Sequence, residues 1–512
     1  MAKLLTRAQR VALGQQRTAQ PEAVPIPITG WNTRDVLTGM AATDAIQLDN
    51  WYPDASGLLL RRGFNQFASG IGSGAVPTLA EFNFSGVRKF LAGGNGKIYD
   101  ITSGGAVGAA LATGFTRDWW NTIAFNLHLF LFNGADAPQI YDGTAVSACG
   151  LTGPASVNNW IGGTAFMNRL FLIERNRCGF WYGPLLGITG ACTFFDLSML
   201  TEQGGNLAAI TSFSYDGGAG VFDYIAFALD SGEVFIYSGT DPSVAANWSL
   251  VGRYRMSPPV NLRSIVRYGG EAYMTTANDH VALQQGLVAL RSGLLPPRTK
   301  ASGAVAAAVL ANGAADGFQA LYYQNGRRVI FNIPNLDGTF DQHVYNTSND
   351  AWCRFRNHPS ATWGTFKGAL YFGGSTGGKV YQADVGSLDN GTQAIQAIGQ
   401  QAWNLFGSSE HKAIKAIRPV LQSVGQINYS FGVGFDYESI VAPLISSNPP
   451  TGSPWDISPW DTTPWSSEFI VDPRWNVGGG DGMAVSWLLQ ISALQPVTWL
   501  RTDLWEEEGQ GL

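Results

Sequence analysis

The sequence predicts an all-β protein: a β-propeller of about seven blades, with six to eight allowed, and an additional β-sandwich-like domain. The composition combines 63 glycines and 12% aromatic residues with only 14% charged residues. This is typical of turn-rich β proteins rather than of disordered chains. A strand–turn–strand pattern recurs through the middle of the chain, and it stops near residue 398.

Seven copies of this pattern can be recognised. Each has an apolar strand, a turn and a second strand, and most second strands contain aromatic residues. The copies lie at 90–100, 129–142, 170–182, 225–237, 272–283, 329–346 and 370–382. Their spacing of roughly 40 to 60 residues fits a four-stranded propeller blade with its loops. A single blade cannot bury both of its faces, whereas blades around an axis bury one another. The alternative is a set of unrelated β-meanders.

The same patterns divide the chain into four predicted segments. They are an N-terminal arm (1–27), a clasp (28–77), the propeller body (78–397) and a C-terminal β-rich domain (398–512). The alanine-rich run at 297–317 interrupts the propeller pattern, and it fits either a helix or a flexible loop between blades.

The clasp is expected to pack with the C-terminal domain and to form the sandwich with it. Its predicted elements are a turn at 30–32, a helix-like piece around 43–48, a corner at 50–53 and a strand at 58–60. Asn, Pro and Gly favour the turns because of their backbone preferences. The C-terminal strands are predicted at 414–421, 427–435, 484–491 and 496–505.

The N-terminal arm is one candidate interface. Leu4, Leu5 and Val11 fall on one helical stripe, and the first twenty residues carry four positive charges and no negative ones. Three prolines between residues 21 and 27 then favour an extended path. We interpret this segment as a docking arm for a neighbouring protein; the alternative is a frayed terminus.

A second candidate interface contains Trp455, Trp460 and Trp465, each directly after a proline and five residues apart. Proline favours an extended path, and tryptophan offers a large rigid contact area. The alternative is a surface loop whose tryptophans pack on their own domain.

Charge and cysteine content narrow the classes of function. The net charge of −6 argues against a protein that binds nucleic acid by neutralising phosphates. No apolar stretch predicts a membrane span, and no signal peptide is indicated. The four cysteines are far apart and form no C-x-x-C motif, so they are interpreted as buried free thiols of a protein kept in a reducing cytoplasm.

No catalytic, cofactor-binding or metal-binding residue is predicted. The stretch from Gly373 to Gly377 matches G-x-S-x-G, but a nucleophile elbow needs a following helix, and the continuation reads as a strand. It also fails as a P-loop, because Val380 stands where Ser or Thr is required. The five histidines lack metal-ligand spacing. We therefore expect that the protein is not an enzyme.

Three stretches carry a family resemblance. They are GWNTRD with DAIQLDNWYPDASGLLLRRGF (30–64), HVYNTSNDAWCRF with WGTFKGALYFGGSTGGKVYQAD (343–384), and RWNVGGGDGMAVSWLLQI with VTWLRTDLWEEEGQGL (474–512). They resemble the tail nozzle proteins, or tail tubular protein B, of short-tailed bacteriophages.

The resemblance implies a structural protein of the virion tail, assembled in the host cytoplasm. A homo-oligomer, expected to be a hexamer, would form a distal ring attached to the adaptor ring of the head–tail connector. The ring would carry tail fibres and act as a conduit and gate for genomic DNA, without sequence-specific binding. Two alternatives stay open. One is a tail-associated glycan-degrading enzyme, which would need two carboxylates about 5 to 10 Å apart. The other is a protein-binding propeller scaffold.

Overall fold

The chain forms two units that consist almost entirely of β-sheet. The computed structural model describes residues 21–216, 221–291, 297–424, 427–442, 470–471 and 474–508. The first unit is drawn from the segment up to Gly30, from Val36–Leu60 and from Ala394 onward. The second unit consists of Trp31–Asp35 and Arg61–Gln393. A two-residue strand, Gly30–Trp31, spans one of the boundaries.

The second unit is the propeller, and its blades are numbered here in the order of the sequence repeats. Blade 1 contains Thr78–Phe84, Val87–Gly94, Lys97–Asp100 and Ala112–Thr113. Blade 2 contains Asn121–Phe125, His128–Phe132, Gln139–Tyr141 and Val146–Ala148. Blade 3 contains Trp160–Phe166, Arg169–Glu174, Gly179–Tyr182 and Thr193–Asp196, with a parallel pair, Gly150–Thr152 and Thr189–Ala191, as a separate small sheet.

The remaining blades follow the same plan with two variations. Blade 4 contains Leu207–Asp216, Val221–Leu229, Glu233–Gly239 and Trp248–Arg255. Blade 5 has three strands in the described residues, Ile265–Tyr268, Glu271–Thr275 and His280–Ala282. Blade 6 contains Gln319–Tyr323, Arg328–Pro334, Phe340–Asn346 and Ala351–Phe355. Blade 7 contains Ser360–Phe366, Ala369–Gly374, Val380–Ala383, Phe64–Ser69 and Gly105–Ala106.

The seven sheets close into a ring, so the predicted propeller is confirmed. The first strand of each blade contacts the first strand of the next, and the first strand of blade 7 contacts that of blade 1. Each sequence copy corresponds to the second and third strands of one blade. These strands read as continuous apolar runs because both of their faces meet a neighbouring blade.

Aromatic side chains supply much of the packing between blades. Phe180 of blade 3 stacks on Phe227 of blade 4 with ring centroids 4.2 Å apart. Phe90 of blade 1 stacks on Phe366 of blade 7 at 4.9 Å. Both contacts lie in continuous hydrophobic clusters, and each fully buried Phe stabilises the fold by about 1.5–3 kcal/mol relative to an exposed one.

Blade 7 is completed by a strand from the beginning of the propeller unit. Phe64–Ser69 pairs antiparallel with Val380–Ala383, although about 300 residues separate them. The buried Arg61 guanidinium forms two hydrogen bonds to the Asp389 carboxylate, at 2.7 and 2.6 Å. The clasp was predicted to continue to residue 77, whereas the propeller unit begins at Arg61, because the strand at 64–69 closes the ring.

Two α-helices follow blade 5. Helix α1 (Leu283–Arg291), which was not predicted, packs Leu283 and Leu287 into a cluster with blade 4 and blade 5 side chains. Helix α2 (Ser302–Asn312) covers the alanine-rich run, so the helix was the correct alternative there. Short 3-10 turns lie at Leu37–Gly39, Val157–Asn159, Ala245–Asn247 and Leu262–Ser264.

The described strands of the first unit belong to two sheets, and each combines strands from before residue 61 and after residue 394. One contains Ile470–Val471, Lys412–Ser423, Val497–Glu508, Gly57–Leu60 and Trp51–Asp54, with Glu22–Val24 and Asn476–Gly482 as additional strands. The other contains Asp44–Asp49, Ile395–Gln401, Val485–Ala493 and Tyr429–Phe435. Gly399 of the second sheet faces the buried Trp499 and Trp51 of the first. A clasp strand therefore contributes to each sheet, as predicted.

The prediction of a helix-like piece around 43–48 is wrong, because Asp44–Asp49 is a strand paired with Ile395–Gln401. Ala45 and Leu48 are both fully buried. They are three residues apart, which is also the spacing of residues on one face of a helix. A register shift between Ala45 and Gln47 adds one residue to this strand. A bulge of this kind interrupts the alternation of a strand, so residues three apart face the same side.

Three histidines are buried between the late blades. His280 Nε2 lies 3.1 Å from His343 Nδ1, which links blade 5 to blade 6. His358 lies against Phe64 and Phe372 of blade 7. Burial lowers the pKa of all three, that of His343 to about 3, and neighbouring cations add to the effect at His343 and His358. These histidines are therefore neutral parts of the core.

The four cysteines are free. Cys192 and Cys353 are buried, while Cys149 and Cys178 are half-buried. Burial raises the pKa of the Cys192 thiol to about 12, so this thiol stays protonated at neutral pH.

We predict that Arg61→Met destabilises the propeller by about 3–5 kcal/mol, because the Asp389 carboxylate is then buried without a counter-charge. The double variant Arg61→Met/Asp389→Leu should recover part of this loss. Urea unfolding followed by tryptophan fluorescence measures both. Lys89→Met, which removes a partly exposed ion pair with Asp100, is the control and should cost under about 1 kcal/mol. If the double variant were no more stable than Arg61→Met, the uncompensated charge of Asp389 would not be the cause of the destabilisation.

We also predict acid destabilisation that begins below about pH 6.5. Unfolded histidines take up protons there, whereas the folded state keeps His280, His343 and His358 neutral, in the case of His343 down to about pH 3. Each contributes a loss of up to about 1.4 kcal/mol per pH unit as the pH falls. Urea unfolding at pH 7.5, 6.0 and 5.0 gives the free energy of unfolding at each pH. Between these values it should fall less steeply for His358→Gln than for the natural chain. An unchanged slope in that variant, or an equal decrease in the exposed control His411→Gln, would contradict this explanation.

Candidate functional site

The predicted interface residues cannot be placed in the fold. Leu4, Leu5 and Val11, and likewise Trp455, Trp460 and Trp465, lie outside the described residues. Their roles therefore stay predictions.

The most distinctive concave feature of the propeller is its central channel. A cavity of about 270 Å³ lies among the first strands of six blades. Its polar lining includes Asn121, Thr164, Thr211 and Gln319, and two arginines, Arg263 and Arg267, also face it. Gly163 contributes to the wall from the first strand of blade 3, where a Cβ atom would lie 1.8 Å from the Phe171 carbonyl oxygen. Blade 3 therefore requires glycine at this position.

Arg263 crosses the channel. It precedes the first strand of blade 5, yet its guanidinium donates to the Pro77 carbonyl oxygen at 2.9 Å and to Thr362 Oγ1 at 2.7 Å. Pro77 leads into blade 1 and Thr362 belongs to blade 7, so one side chain links the start of blade 5 to both of these blades. Arg263 also lies over the ring of Trp119, with Cζ 4.8 Å from the centroid.

A second cavity, of about 210 Å³, lies at the end of the channel where the first strands begin. We call it the channel mouth. Its charged lining residues are Arg117, Arg175, Arg263 and Asp316. Trp119 and Phe318 supply aromatic surface, and Asn121, Asn133 and Asn261 supply amides.

The loop between the second and third strands of blade 2 holds Arg117 in place. Asp136 accepts hydrogen bonds from the Thr116 and Arg117 backbone N–H groups, and Asn133 Nδ2 donates to the Arg117 carbonyl oxygen at 2.8 Å. The Arg117 guanidinium then reaches Asp316 Oδ1 at 2.6 Å. Asn133 is buried, so this arginine projects from a fixed base.

The channel mouth carries excess positive charge. Three guanidinium groups line it together with one carboxylate, although the whole chain has a net charge of −6. Burial lowers the pKa of Arg263 to about 10; Asp316 opposes this shift and the neighbouring Arg117 adds to it. Arg263 thus remains charged at neutral pH. A partly enclosed group of cations of this kind can bind an anionic group.

Two further cavities lie in the described part of the propeller. One of about 270 Å³ lies where the first strands of blades 3 and 4 end, and Asp223 and Arg267 line it. Another of about 260 Å³ lies beside blades 5 and 6, lined by Tyr273, Tyr345 and Asp350 among others. The four cavities have at most one carboxylate each.

Other chemical motifs take ordinary structural positions. The stretch from Gly373 to Gly377 is a hairpin connection between Ala369–Gly374 and Val380–Ala383, as predicted. Within the described ranges, no group of three or more His, Cys, Asp or Glu side chains is arranged to hold a metal ion. No helix in the same part of the chain has the length and hydropathy needed to cross a bilayer.

Sequence reasoning missed the residues of the channel mouth. Arg117, Arg263 and Asp316 come shortly before the first strands of blades 2, 5 and 6, and Arg175 follows the second strand of blade 3. In a propeller these connections lie at the same end of the ring. An alignment of the seven copies, with attention to charged residues in these connections, could have indicated the cluster.

Comparisons with known proteins give no family. No family model matches the chain, and no curated protein matches it. It is similar to solved structures of BBS1N in complex with ARL6DN. The lead-soaked crystal has 12% identity, a TM-score of 0.37 and coverage of 63% of this chain and 97% of that one. The mercury-soaked crystal has 11% identity, a TM-score of 0.39 and coverage of 64% and 99%. YCF48 from Cyanidioschyzon merolae has 10% identity, a TM-score of 0.35 and coverage of 63% and 98%.

These comparisons overturn the resemblance to phage tail nozzle proteins. The similar structures named above are of BBS1N and YCF48, and they provide no link to a nozzle. The stretches that suggested the family are mostly strands joined by short turns, a pattern that any turn-rich β protein uses. The expected hexameric ring, adaptor, fibres, DNA conduit and virion location depended on that resemblance and lose their basis with it.

Proposed function

We propose that this protein is a non-catalytic β-propeller scaffold that binds another protein at the channel mouth. The single observation that carries the proposal is the composition of that cavity. Arginine and tryptophan dominate the energetics of protein interfaces, and they do so in partly enclosed pockets. Arg117, Arg175, Arg263 and Trp119 line one such pocket at an end of the ring.

The channel geometry favours contact at the mouth over passage through the ring. Arg263 spans the channel and is held by acceptors from Pro77 and Thr362. Trp119 packs against this fixed guanidinium. A rigid aromatic and cationic surface loses little conformational entropy when a partner binds, which favours affinity.

No observation favours the glycan-degrading alternative. A glycosidase needs two carboxylates facing one groove. The channel mouth offers only Asp316, which is paired with Arg117, and the channel cavity offers none.

We predict that Trp119→Ala weakens binding of the partner by at least about 30-fold, the effect of losing an interface hot spot of about 2 kcal/mol. The full chain would be used to capture partners from an extract of its source cells. The leading partner would then be purified, and its affinity for each variant measured by isothermal titration calorimetry.

Trp475→Ala is the matched control, since Trp475 is a partly exposed tryptophan of the first unit. It should leave the affinity unchanged. A purified partner that binds Trp119→Ala, Arg175→Gln and the natural chain equally would contradict the proposal. So would turnover of a glycan by the purified protein.

A further inference from the structure

We propose that the channel mouth binds the carboxylate of an aspartate or glutamate side chain carried by the partner protein. This inference rests on the proposed function and specifies the chemistry that the partner presents. It follows from the balance of charge, the geometry and the size of the cavity.

Three guanidinium groups face a single carboxylate in the channel mouth, so the described residues that line it carry a net positive charge. Asp316 is engaged by Arg117 at 2.6 Å. Arg263 donates to a carbonyl and to a hydroxyl, which are neutral acceptors. Arg175 is exposed, and the described residues provide no hydrogen bond or ion pair for its side chain. An incoming carboxylate would neutralise charge that the fold leaves uncompensated.

The geometry suits a planar anion. The Arg175 guanidinium fits beside Gly134 because glycine has no side chain. A Cβ atom at position 134 would lie 2.7 Å from Arg175 Nη2. A guanidinium presents parallel N–H donors that match the two oxygens of a carboxylate. Trp119 provides an apolar wall for the methylene groups of an acidic side chain.

The size of the cavity favours a single side chain. Its volume is about 210 Å³, whereas pockets for drug-sized ligands usually span about 300–1,000 Å³. The cavity lies where connections from several blades meet, so a protein that covers this end of the ring can insert one residue.

Calorimetry with the full chain tests the inference at 50 mM and 300 mM salt. The probes are an end-blocked triglutamate peptide, the matching triglutamine peptide and inorganic phosphate. Of the three probes, we expect only the glutamate peptide to bind, and we expect its affinity to be lower at the higher salt concentration. Arg175→Gln should weaken it about tenfold, the effect of losing one charge-assisted hydrogen bond.

Asp316→Asn provides the sharper test, because it should tighten binding of the glutamate peptide several-fold. The substitution removes the only carboxylate of the cavity and releases Arg117, and Asp316 is half-exposed, so folding tolerates the change. A purely structural role for the ion pair predicts no gain in affinity. The control is Arg88→Gln, an exposed arginine of the blade 1 hairpin that lines none of the four cavities, and it should change nothing.

Several outcomes would overturn the inference. They are equal binding of the glutamine peptide, binding of phosphate as tight as that of the glutamate peptide, and no tightening by Asp316→Asn. If a captured partner still depends on Trp119 while the glutamate peptide does not bind, the scaffold function stands and the carboxylate site fails. If the peptide binds as expected while no partner depends on Trp119, the scaffold function fails instead.

Discussion

The pairing of Phe64–Ser69 with Val380–Ala383 is the constraint on which the propeller depends. Each blade hides its apolar faces only because it has a neighbour on both sides, so an open ring would expose blades 1 and 7 to solvent. Strand pairing joins these ends with backbone hydrogen bonds, and the buried pair of Arg61 and Asp389 holds the segment that leads into the closing strand. The channel and its mouth exist only in the closed ring.

Much of the propeller could be predicted from the sequence. The second and third strands of every blade are recognisable because they are buried on both faces, which leaves continuous apolar runs such as Leu129 to Phe132. Some of the fourth strands are short and partly exposed, as at Val146–Ala148, so they leave little periodic signal. Helix α1 was missed for a related reason, since its start at Leu283 continues the apolar end of a strand.

The channel mouth could not be predicted residue by residue. Its charged side chains come from positions 117, 175, 263 and 316, and only the closed ring brings them together. Neither a short motif nor the overall composition reports such a cluster. The acidic net charge of the chain, which argues against nucleic-acid binding, gives no hint of this cluster, because a sum over all residues conceals a local excess of the opposite sign.

Turn-rich β proteins can share short sequence patterns without sharing a family. Asn50 adopts a positive φ of 60° directly before the strand Trp51–Asp54, and this requirement favours asparagine at that position for local reasons. The same local requirement operates in unrelated β proteins. Shared turn residues therefore indicate a shared backbone conformation more readily than shared ancestry.

The order of the segments has a consequence for synthesis of the chain. Residues 61–393 form the ring, and the first unit takes its strands from both sides of that stretch. On the ribosome, Asp44–Asp49 emerges early, but its partner Ile395–Gln401 follows only after every strand of the ring has left the exit tunnel. The nascent chain can thus complete the ring first. Until the last quarter of the polypeptide is synthesised, Asp44–Asp49 lacks its partner strand Ile395–Gln401.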